Sequence, residues 1–88
     1  MKIGDTGTKR FVYVIRSLQQ SRRLYVGLTS DVDARLVAHN AGQNRSTAPF
    51  KPWQLVVALQ FDDERTATRF ERYLKTGSGR AFAKRHFE

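Results

Sequence analysis

Apolar positions come in short blocks separated by polar, turn-forming stretches. Phe11-Val12-Tyr13-Val14-Ile15 is unbroken, β-branched and aromatic, the composition of a strand. Leu18 to Arg23 is polar, and Leu24-Tyr25-Val26-Gly27-Leu28 repeats the strand pattern. So short a spacing makes an antiparallel hairpin the economical connection. Ser30-Asp31-Val32-Asp33 opens a helix, with Ser30 as cap and Asp33 at the third helical position, as in a capping box. That helix is expected from Asp31 to about Ala41, with Val32 and Leu36 inward and Gly42 as its stop. Gly42 to Pro52 is a loop with two prolines, and Trp53 to Phe61 then alternates. The alternation predicts a third strand with Leu55, Val57, Leu59 and Phe61 on one face. Asp62 or Asp63 caps a second helix that runs to about Thr76 and stops at Gly77, burying Ala67, Phe70 and Leu74. Ser78 caps a last helix, Gly79 to about His86, with Phe82 inward. The order is β-β-α-β-α-α. Residues 1–9 read as a flexible tail and residues 10–88 as one domain.

Charge narrows the class of partner. Sixteen Lys and Arg oppose eight Asp and Glu, a net +8, and eleven of the cations are Arg. Arg binds phosphate bidentately, and a field of this sign draws polyanions. Nucleic acid is therefore the expected partner, DNA first and RNA as the other option. No segment pairs a Lys-rich face with a broad apolar one, so a membrane partner is not expected. The apolar run Phe11 to Ile15 is far too short to span a bilayer, and residues 1–9 lack the apolar core of a signal peptide. With no cysteine, neither a disulfide nor a thiolate metal site is available, which suits a reducing, cytoplasmic compartment.

A few polar residues stand where chemistry could sit. Arg35 and His39 are four apart on the first helix, flanking the Val32/Leu36 stripe. An Arg beside a His at a cleft edge suits phosphoryl transfer: one stabilises charge on phosphate, the other positions or relays a proton. Taken alone, the pair also fits a solvated helix flank. Glu71 is the lone carboxylate among Arg65, Arg69, Arg72, Lys75 and Arg80. It either holds a hard divalent ion, with waters and phosphate oxygens completing the shell, or pairs with Lys75 one turn on. Tyr13 and Tyr25 lie on the paired strands and either orient an attacking water or serve as core tyrosines. Gly27, on the face of Tyr25 and Thr29, leaves room for a ligand or another backbone.

In order along the chain, Val12-Tyr13-Val14, then Tyr25-Val26-Gly27, then Arg35 with His39, then Glu71 in Phe70-Glu71-Arg72-Tyr73-Leu74-Lys75 closely resemble the GIY-YIG nuclease family. The resemblance covers about residues 11 to 85. It is closest to short stand-alone members, similar to the N-terminal nuclease domain of the excision-repair (excinuclease ABC) C subunit. It implies an α+β fold, a three-stranded antiparallel sheet flanked by helices. It also implies metal-dependent phosphodiester hydrolysis, in structure-directed DNA processing or repair. Glu71 would bind one Mg²⁺ or Mn²⁺, and Tyr13 or Tyr25 would position or deprotonate the water. Arg35 would stabilise the phosphorane-like charge, and His39 would assist proton transfer or hold the phosphate. Gly27, Lys75 and Arg80 would contact the nucleic acid. A tyrosine near pKa 10 is a poor base at neutral pH and needs a cation or a metal-bound water beside it.

The chain departs from the family pattern at Val12 (for Gly), Val14 and Val26 (for Ile). The Asn found late in many members is absent here; Asn40 and Asn44 come too early, and Ser78 or Arg80 stands in that region. No appended DNA-targeting module is evident. Two other readings compete. Leu24 to Leu28 resembles the first aromatic motif of an RNA-recognition domain, but that fold needs β-α-β-β-α-β order and a second motif that this chain lacks. A domain of the same fold could instead bind nucleic acid without cutting it, although a pure binder needs no isolated carboxylate among its cations.

Overall fold

The computed structural model describes residues 8–88. The tail expected over residues 1–9 falls, for residues 1–7, outside them; its last residue, Lys9, donates its backbone N–H to Glu64 Oε1 at 2.9 Å. The elements are β1 (Phe11–Ser17), β2 (Leu24–Thr29), α1 (Val32–Asn40), a short 3-10 turn (Ala48–Phe50), β3 (Trp53–Gln60), α2 (Glu64–Leu74) and α3 (Gly77–Phe87). The strands form one antiparallel sheet in the order β2-β1-β3, as expected of an α+β domain of this kind.

Strand alternation sorts β1 into two cores, because successive side chains point to opposite faces. Val12 and Val14 face Ala67 and Leu74 of α2 and Ala83 of α3, with Phe70 and Phe82 packed alongside. Tyr13 and Ile15 face the other way, with Trp53, and are covered by Val32 and Leu36 of α1 and by Phe50. The sheet is thus sandwiched, with α1 on one side and α2 and α3 on the other. The valines that depart from the family's first tripeptide, Val12 and Val14, are both fully buried on the α2/α3 side. They fill core there and leave the Tyr13 face unchanged.

The alternation expected for β3 breaks at one point. Ile15 pairs with Leu55, but Val14 pairs with Val57, so the ladder slips by one residue between them. A bulge inserts one residue and flips the faces beyond it. Leu55 therefore shares the Tyr13 side, whereas Val57 and Leu59, opposite Val14 and Val12, lie on the other. The four apolar residues do not share one face.

Two caps also differ from expectation. Asp31, not Ser30, caps α1, its carboxylate accepting the Ala34 N–H at 3.0 Å, so Asp33 is the second helical residue and no capping box forms. Thr76, not Ser78, caps α3, accepting the Gly79 N–H at 3.1 Å, and the helix starts two residues early. The reason lies at Gly79, where a Cβ would overlap the Tyr73 backbone carbonyl. Only glycine lets α3 turn this closely onto the end of α2. Asp63 caps α2 as anticipated, accepting the Thr66 N–H at 2.7 Å. Gly42, at φ 77°, follows the C-cap of α1 in the left-handed conformation that suits glycine.

Candidate active site

Register builds the centre of the site. Tyr13 pairs with Gly27 and Ile15 with Tyr25, so both tyrosines and the glycine occupy the α1 face. A Cβ on Gly27 would overlap the Tyr13 ring at its hydroxyl end. The room expected there for a ligand is therefore filled by Tyr13, and the glycine serves to let that ring lie flat across β2. The two tyrosine rings are 6.3 Å apart between centroids. His39 packs its ring edge-on to Tyr25 at 4.9 Å.

His39 and Arg35, one helical turn apart on α1, both point at this pair. His39 is fully buried, and its Nε2 lies 2.8 Å from the Tyr13 hydroxyl. Its Nδ1 lies 2.8 Å from Thr47 Oγ1. Arg35 interacts through its guanidinium with the hydroxyls of Tyr13 and Tyr25, which holds it firmly cationic. The solvated-flank reading of this pair does not survive for His39.

The hydrogen-bond inventory assigns the protons. The Arg35 charge stands beside the Tyr13 hydroxyl and can only donate, so the phenolic proton points away from it, toward His39 Nε2. The Thr47 hydroxyl donates to the Asn44 carbonyl at 3.4 Å, which leaves its oxygen to accept from His39 Nδ1. His39 is then neutral, with the proton on Nδ1 and a free lone pair on Nε2 facing Tyr13. Burial, and then the Arg35 charge, push the imidazole below its ordinary pKa of 6.5, in keeping with a neutral ring. Burial also raises Tyr13 above its usual 10.0, outweighing the pull of Arg35; Tyr25 and Glu71 push it further up. Tyr13 is thus a phenol at neutral pH. The cation thought necessary to make it a base is present but does not suffice by itself.

Thr47 had no signal in the sequence. It sits in the polar loop after α1, and nothing periodic marks it. The loop folds back so that Thr47 is buried, its carbonyl accepting from Trp53 Nε1 at 2.9 Å. Asn40 secures the same return: its side chain accepts the Trp53 N–H at 2.6 Å and donates to the Trp53 carbonyl at 3.1 Å. That explains an asparagine at the end of α1 without any part in chemistry.

Glu71 comes from the opposite layer. Helix α2 packs on β2 and β1, and β2 is the edge strand, so Glu71 reaches the Tyr13 side closely enough for its charge to be felt there. Its carboxylate pairs with Lys75 Nζ at 2.5 Å, one of the two fates foreseen for it. Its side chain is 14% exposed. Among the described residues no three His, Cys, Asp or Glu side chains cluster as a metal cage. Lys75 and Arg80 both line a groove beside the β2 edge. Tyr25 lines the same groove.

A tyrosine pair on adjacent strands is thus met by an Arg and a His from the next helix and approached by one Glu from the layer behind. The GIY-YIG catalytic domain model matches residues 9–85, and the chain belongs to that family. Among curated relatives it is similar to a UPF0213 protein of Staphylococcus haemolyticus, 37% identical over 71 residues, which are 80% of this chain and 84% of that one. A UPF0213 protein of Staphylococcus saprophyticus is 34% identical over the same shares. One of Lactococcus lactis subsp. cremoris is 33% identical over 66 residues, 74% of this chain and 65% of that one. No solved structure matches the chain significantly. Among the described residues, no helix is long and apolar enough to cross a membrane.

Proposed function

We propose that the protein is a divalent-metal-dependent endonuclease that hydrolyses DNA phosphodiester bonds in structure-directed processing or repair, acting in the cytoplasm. The observation that carries this is the Tyr13 hydroxyl, which has a cation on one side and a neutral imidazole acceptor on the other. Such a phenol can take a proton from water without first becoming a stable phenolate. As a water proton moves to the Tyr13 oxygen, the phenolic proton passes to His39 Nε2. The water oxygen bonds to phosphorus as the P–O bond on the opposite side breaks, the leaving oxygen keeping that bond's electron pair and taking a proton from solvent. Thr47 holds the Nδ1 proton throughout, so His39 presents the correct nitrogen. Arg35 offers its planar fork to the phosphate oxygens on which negative charge grows. Tyr25, less buried than Tyr13, flanks the phosphate with its hydroxyl near the same guanidinium.

Glu71 fits a single Mg²⁺ or Mn²⁺ in a limited way. Such ions are commonly held by one or two carboxylates, with waters and phosphate oxygens completing an all-oxygen shell. One carboxylate near the phenols meets that requirement once Lys75 swings away. The ion would supply charge neutralisation at the phosphate. RNA meets the same phosphate-directed site and is the second candidate substrate.

The Glu71–Lys75 pair favours one competing reading, a domain that binds nucleic acid without cutting it. Cleavage of single-stranded, nicked and branched DNA with Mg²⁺ or Mn²⁺ separates the two. The expected result is metal-dependent cutting by the parent and none by Glu71→Ala, with binding retained or tightened because a negative charge has left a phosphate site. If the parent cuts none of these, the protein is a binding module; equal cutting by both proteins removes Glu71 from the site.

A further inference from the structure

Beside the site, a groove of about 460 Å³ runs along the exposed edge of β2, walled on its far side by α2 and α3. Its cations are Arg22, Arg23, Lys75, Arg80 and Lys84, against one carboxylate, Glu88. All five are exposed to solvent. Its floor is apolar: Leu24 and Val26 from the strand, Leu74 and Ala83 from the helices. The groove meets the site at two residues. Tyr25 belongs to both, and Lys75 lines the groove while pairing with Glu71. Arg23 lines the groove but stacks its guanidinium 3.8 Å over the Phe50 ring, which belongs to the α1-side core, so the groove's charge rests on Arg22, Lys75, Arg80 and Lys84.

We propose that this groove takes an unpaired polynucleotide strand continuous with the scissile phosphate, so that the nucleotides flanking the cut must be single-stranded. The inference rests on the nuclease reading for the position of the cut but not for the binding itself. A cationic rim over an apolar floor suits a flexible strand, with phosphates on the rim and sugars or base faces on the floor. Paired bases have their faces stacked within the duplex and cannot lie on such a floor. The space, about 460 Å³, is that of a small-ligand site, which takes a nucleotide or two of one strand and not stacked base pairs. A backbone passing the rim would also draw Lys75 away from Glu71, freeing the carboxylate as substrate arrives.

Binding of a labelled 12-nucleotide single strand and of a blunt duplex of equal length, in EDTA so that no cutting occurs, tests this. The variants are Arg22→Ala with Lys84→Ala in the groove, and Arg45→Ala with Arg65→Ala, exposed cations outside the groove with the same charge loss. The parent should prefer the single strand. The groove variant should lose about tenfold in strand affinity, with its salt slope flattened by about 1.4 for two lost phosphate contacts. It should bind duplex nearly as the parent does, and the control variant should keep the strand preference. Equal losses for strand and duplex, equal losses in both variants, or no loss at all would overturn the proposal. Strand-selective binding by a protein that never cuts would uphold the groove and sink the nuclease reading; cutting that ignores the groove variant would do the reverse.

Discussion

At the scale of single residues, the proposed chemistry turns on a buried neutral histidine. Helical spacing was enough to pair Arg35 with His39, and motif order was enough to nominate Tyr13, Tyr25 and Glu71. The sequence leaves open which tyrosine would carry the proton; Tyr13 is the one in contact with His39 Nε2, and the proposal rests on that contact. Thr47 was invisible because its role depends on a loop returning across the sheet, a long-range event that no local pattern encodes. Removing its hydroxyl leaves His39 Nδ1–H buried without an acceptor, a loss of about 1–3 kcal/mol. Thr47→Val should therefore melt several degrees below the parent, at about 4–8 °C per kcal/mol for a domain of this size. The parent should carry a pH signature as well. His39 titrates below 6.5 when folded and near 6.5 when unfolded, so the unfolded chain binds the extra proton first. This contribution is complete above about pH 6.5 and is lost as pH falls through the depressed folded value. Melting curves against pH check both; an unchanged melting point in Thr47→Val would mean that its hydroxyl holds nothing.

At the scale of elements, β2 is a strand shaped by its neighbour. Gly27 looked like an opening for a ligand, since a glycine inside a strand marks some close approach. The close approach is real but comes from the Tyr13 ring, which lies on the same face by register. A methyl group there must push the ring aside, costing about 1–3 kcal/mol in overpacking. A displacement near 1 Å at a reacting group can cost about a hundredfold in rate. Gly27→Ala should thus fold with modest loss while cutting falls by about that factor; a parental rate would show that the ring position is immaterial. The hairpin, the helices and their stripes were legible because each is a local, periodic signal. The bulge in β3 was not: Leu55, Val57 and Leu59 alternate correctly in sequence, and only pairing with β1 shows the extra residue between them. Thr76 was missed as a cap because Ser78 offered the same chemistry two residues later, and the steric demand at Gly79 decided between them.

At the scale of the whole molecule, the sheet separates an apolar core from the proposed site. One layer, α2 and α3 on Val12 and Val14, is an ordinary apolar core. The other holds the phenols, the imidazole and the guanidinium. Because the sheet is three strands wide with β2 at its edge, one carboxylate from the first layer can act on the second. The net charge of +8 was readable at once and pointed to polyanions, but its distribution was not. Folding gathers Arg22 and Arg23 from the hairpin turn with Lys75, Arg80 and Lys84 from the helices, residues far apart in sequence. The most direct test of a phosphodiester hydrolase centred on Tyr13 is the single-turnover rate of metal-dependent DNA cleavage by the parent and by Tyr13→Phe, with folding checked by circular dichroism. Removing that proton carrier should slow cutting by about 10²–10⁴-fold in a folded protein. Equal rates in the two proteins would place the chemistry elsewhere.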